Sequence, residues 1–460
     1  MKYFSTRNSN IKSSFEDIFF KGLASDGGLF LPENFPQLDE VTLKSFSKLN
    51  FQEMSYEIFK MYTDNTFENN DLKNIINTAY KSFRNSKIVD VKECGTISFV
   101  QLHHGPTLAF KDIAMQVLGE MYASLLSKND KKINLITATS GDTGAAAIDA
   151  FQGKKNINIF VLHPHNKISD VQRKLMTTYD AKNVFNIAVE GSFDDCQKIV
   201  KDLFVDKNFS ERINMSGVNS INWARIIAQI VYYFYIYFKF NPEQKPIDVS
   251  VPTGNFGDVY AGYISKKMGL NINSLIVSTN QNNILERCIQ KGEYKPEKVT
   301  ASISPSMDIQ VASNFERILF DIVDNNSDRV NQLMDNLKND GFFKLNDDEL
   351  KKLQNNFKSS SCSENETLAI IKEIYSSYNY IIDPHTATAA KPLLHNKNEK
   401  NKQFCFETAH PSKFPLAIEK SIKIKPSLPN GFEKIDSKKE IFDILDNSLE
   451  KVKAYVLERV

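Results

Sequence analysis

The chain has no apolar run long enough to span a bilayer, no surplus of one charge and no paired cysteines. Its most apolar stretch, Ile226 to Phe240, falls short of the roughly 20 residues a span needs and contains Gln229 and Lys239. That stretch predicts a buried helix. Lys and Arg number 57 against 56 Asp and Glu, a net charge of +1. Nucleic acids and anionic membrane surfaces call for a basic excess, so neither is expected as a partner. The five cysteines, Cys94, Cys196, Cys288, Cys362 and Cys405, are scattered, odd in number and never in CxxC spacing. This argues against a disulfide framework or a zinc knuckle and suits a reducing cytoplasm. Met1 to Ser14 also lacks the apolar core of a signal peptide.

Several catalytic signatures are missing as well. The sequence has no HExxH, no G-x-S-x-G and no kinase motif, which removes the commoner hydrolases and phosphotransferases. His103-His104 and His163-Pro164-His165 have no carboxylate or cysteine partner at ligand spacing, so no metal centre is expected. What is present is ordinary globular material. Of 460 residues 41% are hydrophobic and 25% charged, enough for about two or three cored domains.

Residues 10–95 read as mainly helical, broken by the turn Ser25-Asp26-Gly27-Gly28-Leu29-Phe30-Leu31-Pro32. From about residue 97 short apolar runs alternate with amphipathic stretches. Strands are expected at 96–102, 133–138, 157–162, 184–189, 247–251, 274–278 and 404–406, with helices such as 170–179 and 193–204 between them. This alternation predicts parallel sheets with crossover helices. Residues 320–375 read as exposed helices, 396–403 as a polar loop, and the tail from 435 as an amphipathic helix.

The junctions between strands and helices hold the candidate chemistry. Ile136 to Ala138 runs into Thr139-Ser140-Gly141-Asp142-Thr143-Gly144 and an alanine-rich helix. Such a helix start can hold an anion, or can simply be capped by Ser140 or Asp142. It is not a P-loop, because the GK[ST] ending is absent. Val249 to Val251 leads into Pro252-Thr253-Gly254-Asn255-Phe256-Gly257-Asp258. Gly254 and Gly257 let the backbone fold around an anion such as a phosphate, without dinucleotide GxGxxG spacing. A third strand ends in Glu407-Thr408-Ala409-His410-Pro411. Finally, Lys111 in His103-His104-Gly105-Pro106-Thr107-Leu108-Ala109-Phe110-Lys111-Asp112 falls in a mostly apolar first turn. The helix dipole and burial both favour its neutral amine, the condition of a Schiff-base lysine.

SDGGLFLP, HGPTLAFKD, SGDTGAAA, PTGNFGD and ETAHP, in this order, make the chain resemble the threonine synthase family, over nearly its whole length. The resemblance implies an α/β fold of two parallel-sheet, three-layer domains (pyridoxal-phosphate fold type II) with a mainly helical N-terminal segment. The expected units are 1–99, packing on the large domain; 100–235, a smaller α/β domain with SGDTG; and 236–460, a larger cofactor domain, with the cofactor in the cleft between the two α/β domains.

By the same resemblance the cofactor is pyridoxal 5′-phosphate, carried on Lys111. Gly254, Asn255, Phe256, Gly257 and Asp258 would cradle its phosphate, and Thr408 would meet the pyridine nitrogen. Ser140, Gly141, Asp142 and Thr143 would grip the substrate's α-carboxylate. Arg173, Lys174 and Arg225, with Lys413 after the Thr408 motif, are candidates for the substrate's phosphate. The implied reaction converts O-phospho-L-homoserine and water into L-threonine and phosphate, with Lys111 as base. The implied enzyme is cytoplasmic, a monomer or homodimer, with a small-molecule substrate. A relative releasing phosphate, ammonia and a 2-keto acid would share the cofactor motifs. A non-catalytic binding protein on this scaffold has less in its favour, because Lys111, the glycine loop and Thr408 are all intact.

Overall fold

The computed structural model describes residues 1–129, 131–395 and 400–460. Residues 396–399 of the expected polar loop lie outside the described residues. Among the described residues the strands, numbered in chain order, form four sheets. β1 (Tyr3–Ser5), β2 (Lys12–Ser13) and β3 (Phe30–Pro32) make a small antiparallel sheet at the N-terminus. A six-stranded sheet contains β4 (Asp90–Cys94), β5 (Ile97–Gln101), β10 (Ile247–Pro252), β11 (Ile272–Thr279), β14 (Phe357–Ser361) and β15 (Lys402–Glu407). Its order is β14-β11-β10-β15-β5-β4, parallel except for β4. A wholly parallel five-stranded sheet, β16-β8-β7-β6-β9, contains β6 (Ile133–Ala138), β7 (Ile157–Pro164), β8 (Val184–Glu190), β9 (Met215–Ser216) and β16 (Asp443–Asp446). β12 (Glu293–Tyr294) and β13 (Phe343–Lys344) pair by themselves.

Sheet membership crosses the expected boundaries at 99/100 and 235/236. β5 lies beside β15 in the six-stranded sheet, and β16, near the C-terminus, returns to the five-stranded one. The tail expected as one helix from 435 therefore contains β16 before its helix, Leu449–Leu457. In the region expected as exposed helices, β14 is an edge strand, Phe-Lys-Ser-Ser-Ser, which offers one apolar residue and no alternation to read.

The inner parallel strands such as β6 and β10 are buried on both faces and read as continuous apolar runs, which is why their positions matched the expectation closely. The apolar stretch at 226–240 forms the helix Trp223–Lys239, buried from Trp223 through Tyr237. The N-terminal helices pack on it, with Phe51 against Tyr235 (5.2 Å between ring centroids) and Phe46 against Phe234 (5.6 Å).

The Asp26-Gly27-Gly28 turn closes against β1. Asp26 accepts from the Ser5 hydroxyl (2.8 Å) and from the Gly28 amide (2.9 Å). A Cβ on Gly28 would come within 2.2 Å of Ser5 Oγ, so only glycine allows this approach. The following strand presents the Phe30 carbonyl to Arg317, a fully buried guanidinium. Arg317 also donates to the Ile221 carbonyl (2.6 Å) and to the Asn314 side chain, and lies over the Trp223 ring (5.3 Å). Asn314 in turn donates to the carbonyls of Asn255 (3.1 Å) and Ser220 (3.2 Å). The N-terminal turn is thus tied, through Arg317, to the backbone of the PTGNFGD loop.

Arg317→Met should leave three buried acceptors without a donor. A loss of about 3 kcal/mol is expected, read as a lower midpoint of chemical denaturation; an unchanged midpoint would contradict this hub role.

Candidate active site

Four loops leave the carboxyl ends of parallel strands and meet in one cavity, where α/β sheets commonly hold ligands. They follow β5, β6, β10 and β15, and bring Lys111, Asp142, the Gly254–Asp258 turn and Thr408 to the same walls, with Thr143, Ser220, Arg225, Gln229, Ser306, Met307 and His385. The loop holding Thr408 is fixed against the one leading to Lys111. The Phe110 amide donates to the Thr408 carbonyl (2.9 Å), and the His410 amide donates to the Leu108 carbonyl (3.0 Å).

Lys111 opens the helix Lys111–Asn129, with Nζ 3.3 Å from Asp142 Oδ2. Burial lowers its pKa from the ordinary lysine value; Asp142 opposes this, while Lys413 and Arg225 add to it. Asp142 has four neighbours. Its carboxylate meets Lys413 Nζ (2.6 Å) and Lys111, and accepts from Gln172 Nε2 (3.0 Å) and Ser306 Oγ (3.0 Å). Burial alone would raise its pKa, but Lys413 and Lys111 outweigh burial and hold it well below the usual carboxylate range. Lys413 is wholly buried, and its ammonium is also anchored to the Thr107 carbonyl (2.9 Å). On the Ser306 side, the Ser306 amide donates to His385 Nε2 (3.3 Å), and His385 Nδ1 lies 2.8 Å from Asp383.

Across the cavity, the turn after β10 enters the helix Gly257–Lys267 through Phe256, which is in the left-handed region at φ 65°. The first amides of a helix have no intrahelical acceptor and carry the positive dipole end, so this end suits an anion. The turn has no room for side chains where a phosphate would come close: a Cβ on Gly254 would lie 2.8 Å from the Ser306 carbonyl. Asn255 is fixed by its backbone carbonyl to Asn314 and by its side chain to Ser313 Oγ (3.1 Å). An amine of lowered pKa facing a glycine-rich helix end is the donor set that pyridoxal phosphate requires, an aldehyde acceptor at one end and a phosphate cradle at the other. The residues present fit that group.

Of the other site residues expected from sequence, Thr143 and Arg225 line the cavity. Arg225 is 3% exposed, burial lowers its pKa to about 10, and Nη1 donates to the Val218 carbonyl (3.0 Å). Gly141, at φ 136°, sits tight against Gln172, and Ser140 ends the strand side of the same loop, half-buried. Arg173 and Lys174 are not among the lining residues. Arg173 pairs with Glu440 (2.8 Å) and Asp170 (2.7 Å), and Lys174 with Asp436 (2.7 Å). Sequence reasoning did not identify Ser220, Gln229, Ser306 or His385. Gln229 could have been flagged as a polar residue within an apolar helix, and His385 as the second residue of the helix Pro384–His395, beside the proline that opens it.

Comparison with known proteins agrees with this geometry. Family models match in three regions: threonine synthase N terminus over residues 2–80, pyridoxal-phosphate dependent enzyme over 75–336, and threonine synthase, C-terminal, over 386–456. The threonine synthase of Pseudomonas aeruginosa is 40% identical, with 99% of this chain and 98% of that one covered. The structure of a PLP-bound threonine synthase from Brucella melitensis matches at a TM-score of 0.97 and 38% identity, covering 100% and 99% of the two chains. The yeast threonine synthase structure matches at 0.95 and 37%, covering 100% and 98%.

Lys413→Met should remove a cation from beside both Asp142 and Lys111. Asp142 then turns wholly to Lys111, whose pKa rises toward the ordinary lysine value. The amine is free only at higher pH, so the pH dependence of adduct formation between the apoprotein and pyridoxal phosphate, followed by visible absorbance, should move up by about one unit. An unshifted profile would show that Lys413 does not tune this amine.

Proposed function

The chain belongs to the threonine synthase family, and on that premise we propose that it converts O-phospho-L-homoserine and water into L-threonine and phosphate. It is a pyridoxal-phosphate-dependent lyase. The observation that carries the proposal is the placing of the Lys111 amine and the Gly254–Gly257 turn in the walls of one cavity, with Thr408 beside them.

Pyridoxal phosphate, when bound, supplies an electron sink that stabilises negative charge developing at the substrate's Cα. In this reading Gly254, Asn255, Phe256, Gly257 and Asp258 hold its phosphate and Lys111 its aldehyde carbon. Thr408 meets the pyridine nitrogen with a hydroxyl. A hydroxyl does not keep a proton on the ring as a carboxylate would, which moderates the sink and disfavours transamination.

The free lysine amine is the base. Its lowered pKa brings the neutral amine within easier reach, so it can take the Cα proton, pass it on, and then take the Cβ proton; these two protons end at Cγ and Cα of the product, while water supplies the Cβ hydroxyl and the proton that leaves with phosphate. Asp142, pinned by Lys413, Gln172 and Ser306, keeps an acceptor beside Nζ and so fixes where the amine points. The helix Asp142–Phe151 offers its first amides, in the Ser140–Thr143 loop, to the substrate's α-carboxylate. We assign the substrate's phosphate to Arg225, which lines the cavity; its burial strengthens any ion pair it makes. Arg173 and Lys174 would have to exchange their pairs with Glu440 and Asp436 to join it. Closing the two sheet-bearing units over the cavity would keep water out until phosphate has left.

We place this activity in the cytoplasm. All five cysteines are buried and unlinked, which suits a reducing compartment. Among the described residues, no helix is long and apolar enough to cross a membrane.

An assay following phosphate release and threonine formation together from O-phosphohomoserine should show equal amounts of both. Lys111→Ala should lower turnover by at least about a thousandfold. Phosphate accompanied by ammonia and a 2-keto acid, without threonine, would contradict the proposal.

A further inference from the structure

We infer that Asp258 works in the phosphate cradle as an uncharged acid, its Oδ2 hydroxyl donating a hydrogen bond to the phosphate of the bound cofactor. The inference rests on reading Gly254–Asp258 as that cradle.

Asp258 lies in the first turn of Gly257–Lys267 and is 7% exposed. Its two oxygens are in different situations. Oδ1 accepts from the Tyr232 hydroxyl (2.7 Å) and the Tyr233 hydroxyl (3.2 Å). Oδ2 is buried with no hydrogen-bond partner among the described residues, although the residue lines the cavity. Buried polar atoms rarely stay without a partner, so this oxygen marks a missing contact.

The charges around it decide what that contact is. Arg225 and Gln229 line the cavity from helix Trp223–Lys239, Tyr232 and Tyr233 of the same helix reach Asp258, and Lys111, Asp142 and His385 line the other walls. Neither cation of the cavity is paired with Asp258: Lys111 meets Asp142, and Arg225 donates to the Val218 carbonyl, with its Nε lacking a partner among the described residues. Tyr232 and Tyr233 stay protonated, because burial and then the Asp258 charge push both well above the usual tyrosine range. On the carboxyl they donate to Oδ1 alone, and the Tyr233 hydroxyl is shared with the Asp258 backbone carbonyl (3.0 Å). An ionised Asp258 would thus bring a second negative charge to a helix end that must also hold a phosphate dianion. Burial already raises Asp258 to about 7. A neighbouring phosphate raises it further, because like charges disfavour ionisation. As a neutral acid, Asp258 satisfies every site: Oδ1 accepts from the tyrosines and the Oδ2 hydroxyl donates to a phosphate oxygen. When the free carboxyl is ionised, binding must take up one proton from solvent.

The test compares wild type with Asp258→Asn, which keeps a donor at this position and cannot ionise. Dissociation constants of the apoproteins for pyridoxal phosphate and for pyridoxal are measured by visible absorbance from about pH 6 to about pH 9. Ionisation of Lys111 and of the ligand's own phosphate is common to both proteins and cancels in their ratio. The expected result is a wild-type affinity for pyridoxal phosphate that falls, relative to Asp258→Asn, by about tenfold per pH unit above the carboxyl's pKa, with no such divergence for pyridoxal. Equal pH dependence in the two proteins, or a divergence seen equally with pyridoxal, overturns the inference and leaves the cradle in place. No absorbance change with either compound in wild type overturns the cradle reading and the inference with it. If Asp258→Asn fails to fold, titration calorimetry on wild type in buffers of different ionisation enthalpy gives the same answer. Near pH 8.5, about one more proton should be taken up with pyridoxal phosphate than with pyridoxal; no extra uptake overturns the inference.

Discussion

A lysine ammonium moved out of water is costly unless a carboxylate travels with it, and the buried Lys111 has Asp142 at 3.3 Å. The rest of the site follows from that pairing. Asp142 has a second counter-ion in Lys413, at 2.6 Å and wholly buried, so its charge does not depend on Lys111 alone. Lys413 is held in turn by the Thr107 carbonyl, in the loop that carries Lys111. Lys111, Asp142 and Lys413 thus form a connected set, drawn from the loops after β5, β6 and β15.

The phosphate end of the cavity is built by different means. In the proposed reading the Gly254–Asp258 turn holds the phosphate without a basic side chain, by helix amides and the glycines at Gly254 and Gly257, with Asp258 as an added donor. That turn is kept in shape from outside by Asn314, which Arg317 fixes to the N-terminal strand at Phe30 and to Ile221. The N-terminal segment therefore has an energetic link to the site although none of its residues lines the cavity.

Much of this was legible in the sequence. The strand positions could be read because parallel strands, buried on both sides, are short apolar runs ending in glycine or small polar residues. Lys111, the Gly254–Asp258 turn and Thr408 could be read because each lies at a strand end within a motif. β14 could not, since an edge strand of one phenylalanine and three serines carries no periodic signal. β16 was hidden for a related reason: its four residues return to a sheet formed about 250 residues earlier, and local pattern does not report such pairing. Ser306 and His385 are distant in sequence from every motif and reach the cavity only through tertiary packing. Arg173 and Lys174 were chosen for charge alone, and charge does not reveal that Glu440 and Asp436 already hold them. The Asp26-Gly27-Gly28 turn reads in sequence only as a break between helices; Gly28 is required there by the close approach of Ser5.

The central claim is that the Lys111 amine, and no other, carries the cofactor while the Gly254–Asp258 turn holds its phosphate. Borohydride reduction of the holoprotein followed by peptide mass mapping tests it most directly. The account predicts a single reduced phosphopyridoxyl group, on the peptide containing Lys111. Modification of Lys413 in its place, or spread over surface lysines with Lys111 untouched, would contradict it.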